Sequence, residues 1–332
     1  MFNTAVAFSS DGSLVAKYHK THLFFEFGYN TPPKVEFVYF DTPFGRLGLH
    51  ICFDTLFKDP GIQDVVKYGV QTMVFPTYWF DELPLRSAKQ LQEGWATTNR
   101  VNLLAANVLN LKTGSIGSGI YSGENGPIVY SDITTKTAKL FVADIPINSH
   151  NTSASCLTKR FNKTVSIESL KTDSEYKSVE TLYTKGLTLK KLVDKQNSSV
   201  VCDNGFCCQL NYSVVSELSL RDESYWLFVV NSSAHPYTQN YPMCEETCGV
   251  FRCDDDSCQS FPTKSKTVFE SLRLSAKFTT NYTYPSLTSN DLTLVPKQYW
   301  IYENNGQIGS EVKLNLENFD KPLLAMALYG RC

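Results

Sequence analysis

The sequence of 332 residues lacks a long hydrophobic run, a basic cluster and a strong net charge. No stretch approaches the ~20 apolar residues of a membrane-spanning helix, so we predict no membrane span. The 31 basic and 33 acidic residues leave a net charge of −2, which argues against nucleic acid or another polyanion as a partner. The first residues also lack the basic start and apolar core of a signal peptide. The length suffices for two domains of ordinary size.

Cysteine is scarce in the first half of the chain and abundant in the second. Only Cys52 lies within the first 155 residues. An even, clustered set predicts a disulfide framework formed in an oxidising compartment, with the pairing left open. A zinc site is the weaker alternative, because the last four of these cysteines lack the close pairs of common zinc modules. The set consists of Cys156, Cys202, Cys207, Cys208, Cys244, Cys248, Cys253 and Cys258.

Six N-x-[ST] sequons follow residue 150, in the cysteine-rich half. Together with the cysteines they predict a glycosylated protein that is secreted or extracellular, and a lipid anchor in a full-length form is left open. Because a secreted chain needs a signal peptide, we expect this sequence to be the C-terminal part of a longer precursor, or a form that starts at an internal methionine. The sequons are Asn151, Asn162, Asn197, Asn211, Asn231 and Asn281.

The pattern of apolar residues divides the chain near residue 147. Up to that point strands alternate with helices, predicted near 60–68 and 85–100, which is typical of α/β layers. From residue 148 to 332 the chain is polar and short of helical periodicity, so we predict a mostly β domain held by disulfides. Within it, residues 150–200 are expected to be partly irregular. Strands are predicted there near 214–218, 225–230, 267–280, 292–295 and 313–316.

Cys52 lies in the stretch Gly48–Asp54, where an apolar strand is followed by a helical pattern. A cysteine at such an elbow projects from the sheet edge, and a following helix N-terminus favours its thiolate form. The backbone N–H groups just after it can point at an oxyanion. The alternative is a buried structural cysteine.

A second cluster lies upstream, in Lys17–Glu26, with two lysines, two histidines and a glutamate among aromatic residues. The run Tyr18-His19-Lys20-x-His22-Leu23-Phe24, followed 32 residues after Lys20 by Ile51-Cys52-Phe53-Asp54, resembles the carbon–nitrogen hydrolase (nitrilase) superfamily. Further stretches resemble its vanin and biotinidase branch, so that the likeness covers nearly the whole chain. These stretches are Phe75–Trp79, Asn102–Asn107, Gly117–Ile120, Cys202–Cys208 and Ala327–Arg331.

This resemblance implies an α-β-β-α sandwich, incomplete here. Residues 1–147 would be the C-terminal half of the hydrolase domain and 148–332 a vanin-type β-rich domain. It implies that Cys52 forms a thioester, that Lys20 and the backbone N–H of Phe53 stabilise the tetrahedral intermediate, and that Glu26 is an auxiliary glutamate. The general-base glutamate of the superfamily falls in the early half of the domain, outside this sequence. We therefore expect residues 1–332 to be inactive as an amidase.

The branch also implies a small-molecule substrate, a linear amide of a vitamin-derived compound, cleaved without a metal or nucleotide cofactor. Pantetheine, cut to pantothenate and cysteamine, is favoured slightly over biocytin, cut to biotin and lysine. A secreted binding protein that has lost catalysis is the rival hypothesis, and a purely structural extracellular domain is a weaker one. The oligomeric state and the role of Cys332 are left open.

Other residues near the two motifs have less specific signals. Tyr78 and Trp79 follow a buried strand and are predicted to line the substrate pocket, with plain core aromatics as the alternative. Asp54 is predicted to cap the following helix rather than to take part in the reaction. His19 and His22 are expected to be hydrogen-bonded structural histidines.

Overall fold

The computed structural model describes residues 1–146, 162–171, 174–178, 188–216, 219–232, 244–258 and 260–331. Its contacts divide the chain into two compact units. Unit 1 comprises Met1–Phe80, Trp95–Ser131 and Thr135–Tyr176, and unit 2 comprises Asp81–Gly94, Asp132–Thr134 and Lys177–Cys332.

Unit 1 is built mainly from short strands. Their bounds, with the two helices of this part of the chain, are β1 Thr4–Phe8, β2 Leu14–His19, β3 Tyr39–Thr42, β4 Gly45–Leu49, α1 Gln63–Val66, β5 Thr72–Thr77, α2 Ala88–Asn99, β6 Asn102–Asn107, β7 Gly119–Ser122, β8 Gly126–Tyr130, β9 Thr137–Ala143 and β10 Asn162–Lys171. Helix α2 belongs to unit 2 up to Gly94 and to unit 1 from Trp95.

A six-stranded sheet in the order β3-β4-β5-β6-β7-β8 is the centre of unit 1. The β4–β5 and β5–β6 pairs are parallel and the outer pairs are antiparallel. Strands β1 and β2 form a separate antiparallel hairpin, as the Ser10-Asp11-Gly12 turn predicts. Because parallel strands end at the same edge of a sheet, the residues that follow β4, β5 and β6 gather at one edge. Cys52, Tyr78 and Asn107 lie at that edge.

Helix α2 confirms the helix predicted near 85–100. Its apolar residues are buried, with Trp95 0% exposed. Lys89, Gln92 and Glu93 are at most 1% exposed as well. Burial raises the pKa of Glu93 to about 8, although the charge of Lys297 acts in the opposite direction.

Unit 2 contains a β-sandwich. Its elements are β11 Thr188–Lys191, β12 Gln196–Asp203, β13 Phe206–Val214, α3 Ser219–Asp222, β14 Ser224–Ser232, β15 Glu245–Cys253, β16 Phe269–Lys277, β17 Thr283–Ser289, β18 Trp300–Glu303, β19 Glu311–Glu317 and β20 Leu323–Arg331. They form two antiparallel five-stranded sheets, β11-β14-β15-β20-β17 and β12-β13-β16-β19-β18.

The core of unit 2 is shared by its two sheets. Leu210, Leu274 and Leu314 of one sheet form a cluster with Val250 and Met326 of the other, and each is at most 1% exposed. The disulfide Cys208–Cys248 joins β13 to β15 and so links the two sheets covalently. Two further disulfides, Cys202–Cys207 and Cys253–Cys258, each close a short loop. The predicted β-rich class of this region and the presence of disulfides are therefore confirmed, and the structure supplies the pairing that the sequence left open.

Several predicted elements differ from the structure. The helix predicted at 60–68 is divided into a π-helical turn over Lys58–Ile62 and the single α-helical turn α1. The predicted strand at 292–295 is wrong, since Asn290–Leu292 is a 3₁₀ turn. The strand predicted at 214–218 ends at Val214, and residues 217–218 lie outside the described part. Strands β11 and β12 lie in the region expected to be irregular.

No helix within the described ranges is both long and apolar enough to cross a bilayer.

We expect the inter-sheet disulfide to contribute more stability than the hairpin disulfide. Cys208–Cys248 closes a loop of 40 residues, whereas Cys202–Cys207 closes one of 5. Loop-closure entropy then predicts a loss of about 4 kcal/mol for the Cys208→Ala/Cys248→Ala double variant and about 2 kcal/mol for Cys202→Ala/Cys207→Ala. Urea unfolding of each double variant against wild type measures both values. An equal loss for the two would contradict the entropic account.

Asp64 in α1 predicts an unusual pH dependence of stability. Its side chain is 0% exposed, and neither carboxylate oxygen has a hydrogen-bond partner in the described part of the chain. Burial, reinforced by the charge of Asp59, raises the pKa of Asp64 to about 8. The raised pKa lowers the free energy of unfolding. This loss is absent below about pH 4, grows through neutral pH and levels off above about pH 8.

Replacement of Asp64 by asparagine removes that penalty, so Asp64→Asn should stabilise the protein increasingly as the pH rises. Between pH 5 and pH 7 the gain in unfolding free energy should grow by about 3 kcal/mol. Glu124→Gln, at an exposed carboxylate, is the matched control. Denaturant titrations at both pH values test this, and a gain for Asp64→Asn that does not change with pH would rule out a raised pKa.

Candidate active site

Cys52 lies just beyond β4 and starts a 3₁₀ turn over Cys52–Leu56. Its φ of 47° places it in the left-handed region, which is strained for a residue with a side chain. The residues after it in the turn are buried, whereas Cys52 itself is partly exposed. Its Sγ lies 3.8 Å from the carbonyl oxygen of Tyr78. Of the described cysteines, Cys52 is the one outside a disulfide.

The segment directly after Cys52 is not the α-helix start that the predicted elbow implies. The first α-helical residues after it are Gln63–Val66, a single turn that begins well down the chain. The residues that directly follow Cys52 form a tight 3₁₀ turn instead. The local backbone turn, rather than a helix dipole, is therefore what presents the thiol.

Lys20 directly follows β2, as predicted, and its side chain is 0% exposed. Its Nζ donates to Glu26 Oε1 at 2.6 Å. Asn3 Nδ2 donates to the same oxygen at 3.1 Å, and the backbone carbonyl of Asn3 accepts the N–H of Lys20 at 2.8 Å. Glu26 Oε2 is buried without a hydrogen-bond partner among the described residues. The pair therefore holds the ammonium in one position away from bulk water.

Asp54 joins the lysine segment to the cysteine turn. It is 0% exposed. Its Oδ2 accepts the hydroxyl of Tyr18 at 2.7 Å and the N–H of Ile51 at 3.1 Å. Its Oδ1 accepts the backbone N–H of His22 at 2.8 Å and contacts His22 Nδ1 at 3.0 Å. Because Lys20 lies between Tyr18 and His22, this carboxylate fixes the lysine segment against the turn of Cys52.

The predicted role of Asp54 as a helix cap is therefore too narrow. It does bind the N–H of Ile51 at the start of the 3₁₀ turn, but three of its four contacts reach across to Tyr18 and His22. Burial, and then the charge of Asp54, raises the pKa of Tyr18 above its usual range. The phenol thus stays protonated and remains a donor to this carboxylate.

The two histidines of the motif are both hydrogen-bonded, in agreement with the structural interpretation. His22 also stacks on Phe57, with ring centroids 3.7 Å apart. His19 contacts Glu36 at 2.9 Å. Burial raises the pKa of Glu36, but hydrogen bonds from His19 outweigh it and bring the pKa below its usual value.

Tyr78 and Trp79 follow β5, and the structure separates their roles. Trp79 is 9% exposed, and its N–H and carbonyl both bind the side-chain amide of Asn107. Tyr78 is 42% exposed and accepts a hydrogen bond from Asn110 Nδ2 at 3.3 Å. Trp79 therefore fits the alternative of a core aromatic, and Tyr78 is the one placed to meet a ligand.

The aromatic residues around the turn form a continuous apolar wall. Phe53 is 4% exposed and packs on Phe24 at a centroid distance of 5.0 Å and on Phe57 at 5.2 Å. Its ring is thus fixed on both sides, which holds the backbone of residue 53 directly beside the thiol. The N–H expected to serve an oxyanion belongs to this residue.

Sequence reasoning missed Asn3, Asn107 and Asn110. Asn107 ends a parallel strand, and that position alone was a usable signal, because ligands and their supporting side chains gather there. Asn3 lies in the chain's first residues, far from Glu26 in sequence, and no local pattern marks it. Within the described ranges no three His, Cys, Asp or Glu side chains converge as a metal site requires.

The predicted glycosylation sites differ in exposure. Asn197 and Asn211 are exposed, and Asn231 and Asn281 are partly exposed. Asn162 is the first residue of β10, and Asn151 lies outside the described residues.

Comparison with known proteins gives a family match for each half of the chain. Residues 1–147 match the carbon-nitrogen hydrolase family, and residues 176–332 match the vanin C-terminal domain. The chain is 33% identical to the pantetheinase of Mus musculus over 99% of its own length and 62% of that protein. It is 31% identical to the biotinidase of Homo sapiens over 99% of its own length and 64% of that protein.

The chain thus spans less than two thirds of the length of these curated relatives. Among solved structures, Nit3 of Saccharomyces cerevisiae, a member of branch 10 of the nitrilase superfamily, is similar at 24% identity with a TM-score of 0.34, covering 39% of this chain and 49% of that one. The paired family matches and the near-complete coverage by relatives show that this chain belongs to the carbon–nitrogen hydrolases, in the branch of the vanins and biotinidases.

Proposed function

We propose that this chain carries the acyl-transfer site of a linear-amide hydrolase that converts pantetheine to pantothenate and cysteamine through a thioester on Cys52. The observation that carries the proposal is the clamp at Asp54, which brings the segment of Lys20 against the turn of Cys52. A reachable thiol and a buried, fixed ammonium on adjoining segments are the two groups that such a reaction needs first.

In the proposed reaction the sulfur of Cys52 attacks the amide carbonyl carbon and the C–N bond then breaks. Lys20 Nζ and the N–H of Phe53 donate to the oxyanion of the tetrahedral intermediate. The thiol proton is transferred to the leaving amine, which departs as cysteamine, and water then hydrolyses the thioester to the carboxylic acid. Glu26 orients Lys20, since its Oε1 already accepts from Lys20 and Asn3. The general base is assigned to no residue of this chain.

The substrate assignment is supported by similarity rather than by geometry. Relatives named pantetheinase and biotinidase match the chain at 31–33% identity. Hydrolysis of biocytin and other biotin amides is therefore the nearest alternative. The second candidate is a secreted binding protein without turnover. Three disulfides among the described residues and the exposed sequons at Asn197 and Asn211 support an extracellular glycoprotein.

Acylation by an activated ester tests Cys52 and Lys20 without protonation of the leaving group, because p-nitrophenolate leaves as an anion and the thiol proton is released to the buffer. With p-nitrophenyl pantothenate, the wild-type chain should gain one pantothenoyl group, detected by intact mass. Cys52→Ala should gain none. Lys20→Met should react about 10²–10³-fold more slowly, the usual loss on removing an oxyanion donor.

Lys17→Met, on the exposed side of β2, is the control for the loss of a positive charge. An adduct on Cys52→Ala, or an equal rate for Lys20→Met and wild type, would refute the assigned roles. Retention of pantothenate or biotin without any adduct would favour the binding protein.

Asp54→Asn tests the clamp itself. An asparagine offers one acceptor oxygen where the carboxylate offers two, so two of the four donors to Asp54 lose their partner in a buried site. We expect a loss of about 2–3 kcal/mol in unfolding free energy. The acylation rate should also fall, because Lys20 is no longer held at the turn. Glu36→Gln, at the half-exposed partner of His19, is the matched control and should change both quantities less. An unchanged acylation rate in folded Asp54→Asn would exclude the clamp from the proposed mechanism.

A further inference from the structure

Two side chains at the carboxyl edge of the central sheet form a polar pair that the proposed reaction does not use. Tyr78 directly follows β5. Asn110 lies three residues after the end of β6, the strand next to β5 in the sheet. The loop of Asn110 is well fixed, since the backbones of Asn110 and Ser115 exchange hydrogen bonds of 2.8 and 2.9 Å. The ring of Tyr78 packs on Phe80 with centroids 5.0 Å apart.

The hydrogen bond between the two side chains leaves one donor and one acceptor available. Asn110 Nδ2 donates to the hydroxyl of Tyr78 at 3.3 Å. The hydroxyl therefore keeps its own O–H for another acceptor. Asn110 Oδ1 accepts no hydrogen bond from the residues that the structure describes. Because Tyr78 is 42% exposed and Asn110 is partly exposed, both groups face solvent. An adjacent donor and acceptor complement an amide, or a hydroxyl beside a carbonyl.

The pair stands close to the reactive sulfur. The carbonyl oxygen of Tyr78 is 3.8 Å from Cys52 Sγ. The distance from the Tyr78 hydroxyl to the sulfur is therefore at most this 3.8 Å plus the distance from the carbonyl oxygen to the hydroxyl within Tyr78. An acyl group bonded to the sulfur that extends along the side chain of Tyr78 would reach the pair with atoms beyond its carbonyl carbon.

We propose that Tyr78 and Asn110 determine acyl specificity by binding an amide or hydroxyl group that lies a few bonds from the reactive carbonyl. This inference rests on the proposed function and deepens it. Pantothenate carries an amide separated from its carboxyl group by a short β-alanyl linker. Biotin presents a plain valeryl chain at the same distance, with its polar ring farther away. The pair should therefore favour pantothenoyl over biotinyl and over simple aliphatic acyl groups.

Acylation rates of Cys52 with three p-nitrophenyl esters test the inference. The esters are those of pantothenic acid, biotin and hexanoic acid. The release of p-nitrophenolate gives the second-order rate constant for each ester. In Tyr78→Phe the ring and its contact with Phe80 stay, but the hydroxyl is lost. We expect the ratio of the pantothenoyl rate constant to the hexanoyl rate constant to fall about tenfold, because the variant loses one hydrogen bond to the acyl group. Asn110→Leu should lower the same ratio, while the ratio of biotinyl to hexanoyl rates stays constant in both variants.

Tyr68→Phe is the matched control, since the carbonyl of Tyr68 binds Arg46 near the start of β4, at the opposite end of the strand from Cys52. Unchanged pantothenoyl ratios in both variants, or an equal fall for biotinyl, would overturn the inference. Failure of every ester to label wild-type Cys52 would refute the proposed function instead.

A parallel measurement keeps the inference testable in that event. Pantothenate should protect Cys52 from alkylation by iodoacetamide, and this protection should weaken in Tyr78→Phe and Asn110→Leu but persist in Tyr68→Phe. Equal protection in all of them would overturn the inference.

Discussion

The buried carboxylate of Asp54 is the interaction on which the candidate site depends. An isolated charge in a protein interior is strongly unfavourable, so a fully buried carboxylate persists only where donors surround it. Tyr18, Ile51 and His22 supply four such contacts, and they come from both segments that the family resemblance singles out. The same electrostatic requirement that satisfies Asp54 thus brings the lysine segment and the cysteine turn together.

A second constraint acts on the direction of Lys20. Its ammonium is buried, and a buried ammonium needs a fixed acceptor. Glu26 provides one and is itself held by Asn3, so two residues from separate parts of the chain define one position for the Nζ atom. Preorganised charge of this kind is what stabilises an oxyanion without reorganisation during the reaction. The left-handed turn at Cys52 adds a further fixed element, because its strained backbone presents the thiol while the residues after it stay buried.

The two units reach stability by different means. The central sheet of unit 1 has parallel strands whose ends supply polar residues, and it buries titratable side chains such as His50 and Asp64. Burial lowers the pKa of His50 to about 4, so this imidazole is neutral at physiological pH and packs as an aromatic ring between Phe75 and Trp95. The two sheets of unit 2 share a cluster of apolar residues, and the disulfide Cys208–Cys248 joins these sheets. Unit 2 buries charged side chains as well, among them Lys89 and Glu93.

The sequence by itself determined the family, the two motifs, the α/β and β-rich character of the two halves, and the presence of disulfides, because these follow from residue types at short spacing. It missed strand β20, whose residues are all buried and show no alternation, and β12, whose polar residues resemble a loop. Only the tertiary structure decided which disulfides form, that Asp54 binds Tyr18 and His22 rather than a helix alone, that Trp79 is in the core, and that Asn110 lies beside Tyr78. The disulfide Cys208–Cys248 and the contacts of Asp54, Trp79 and Asn110 depend on residues distant in sequence. Their meeting is set by strand register and sheet order, and no local pattern of side chains encodes those distances.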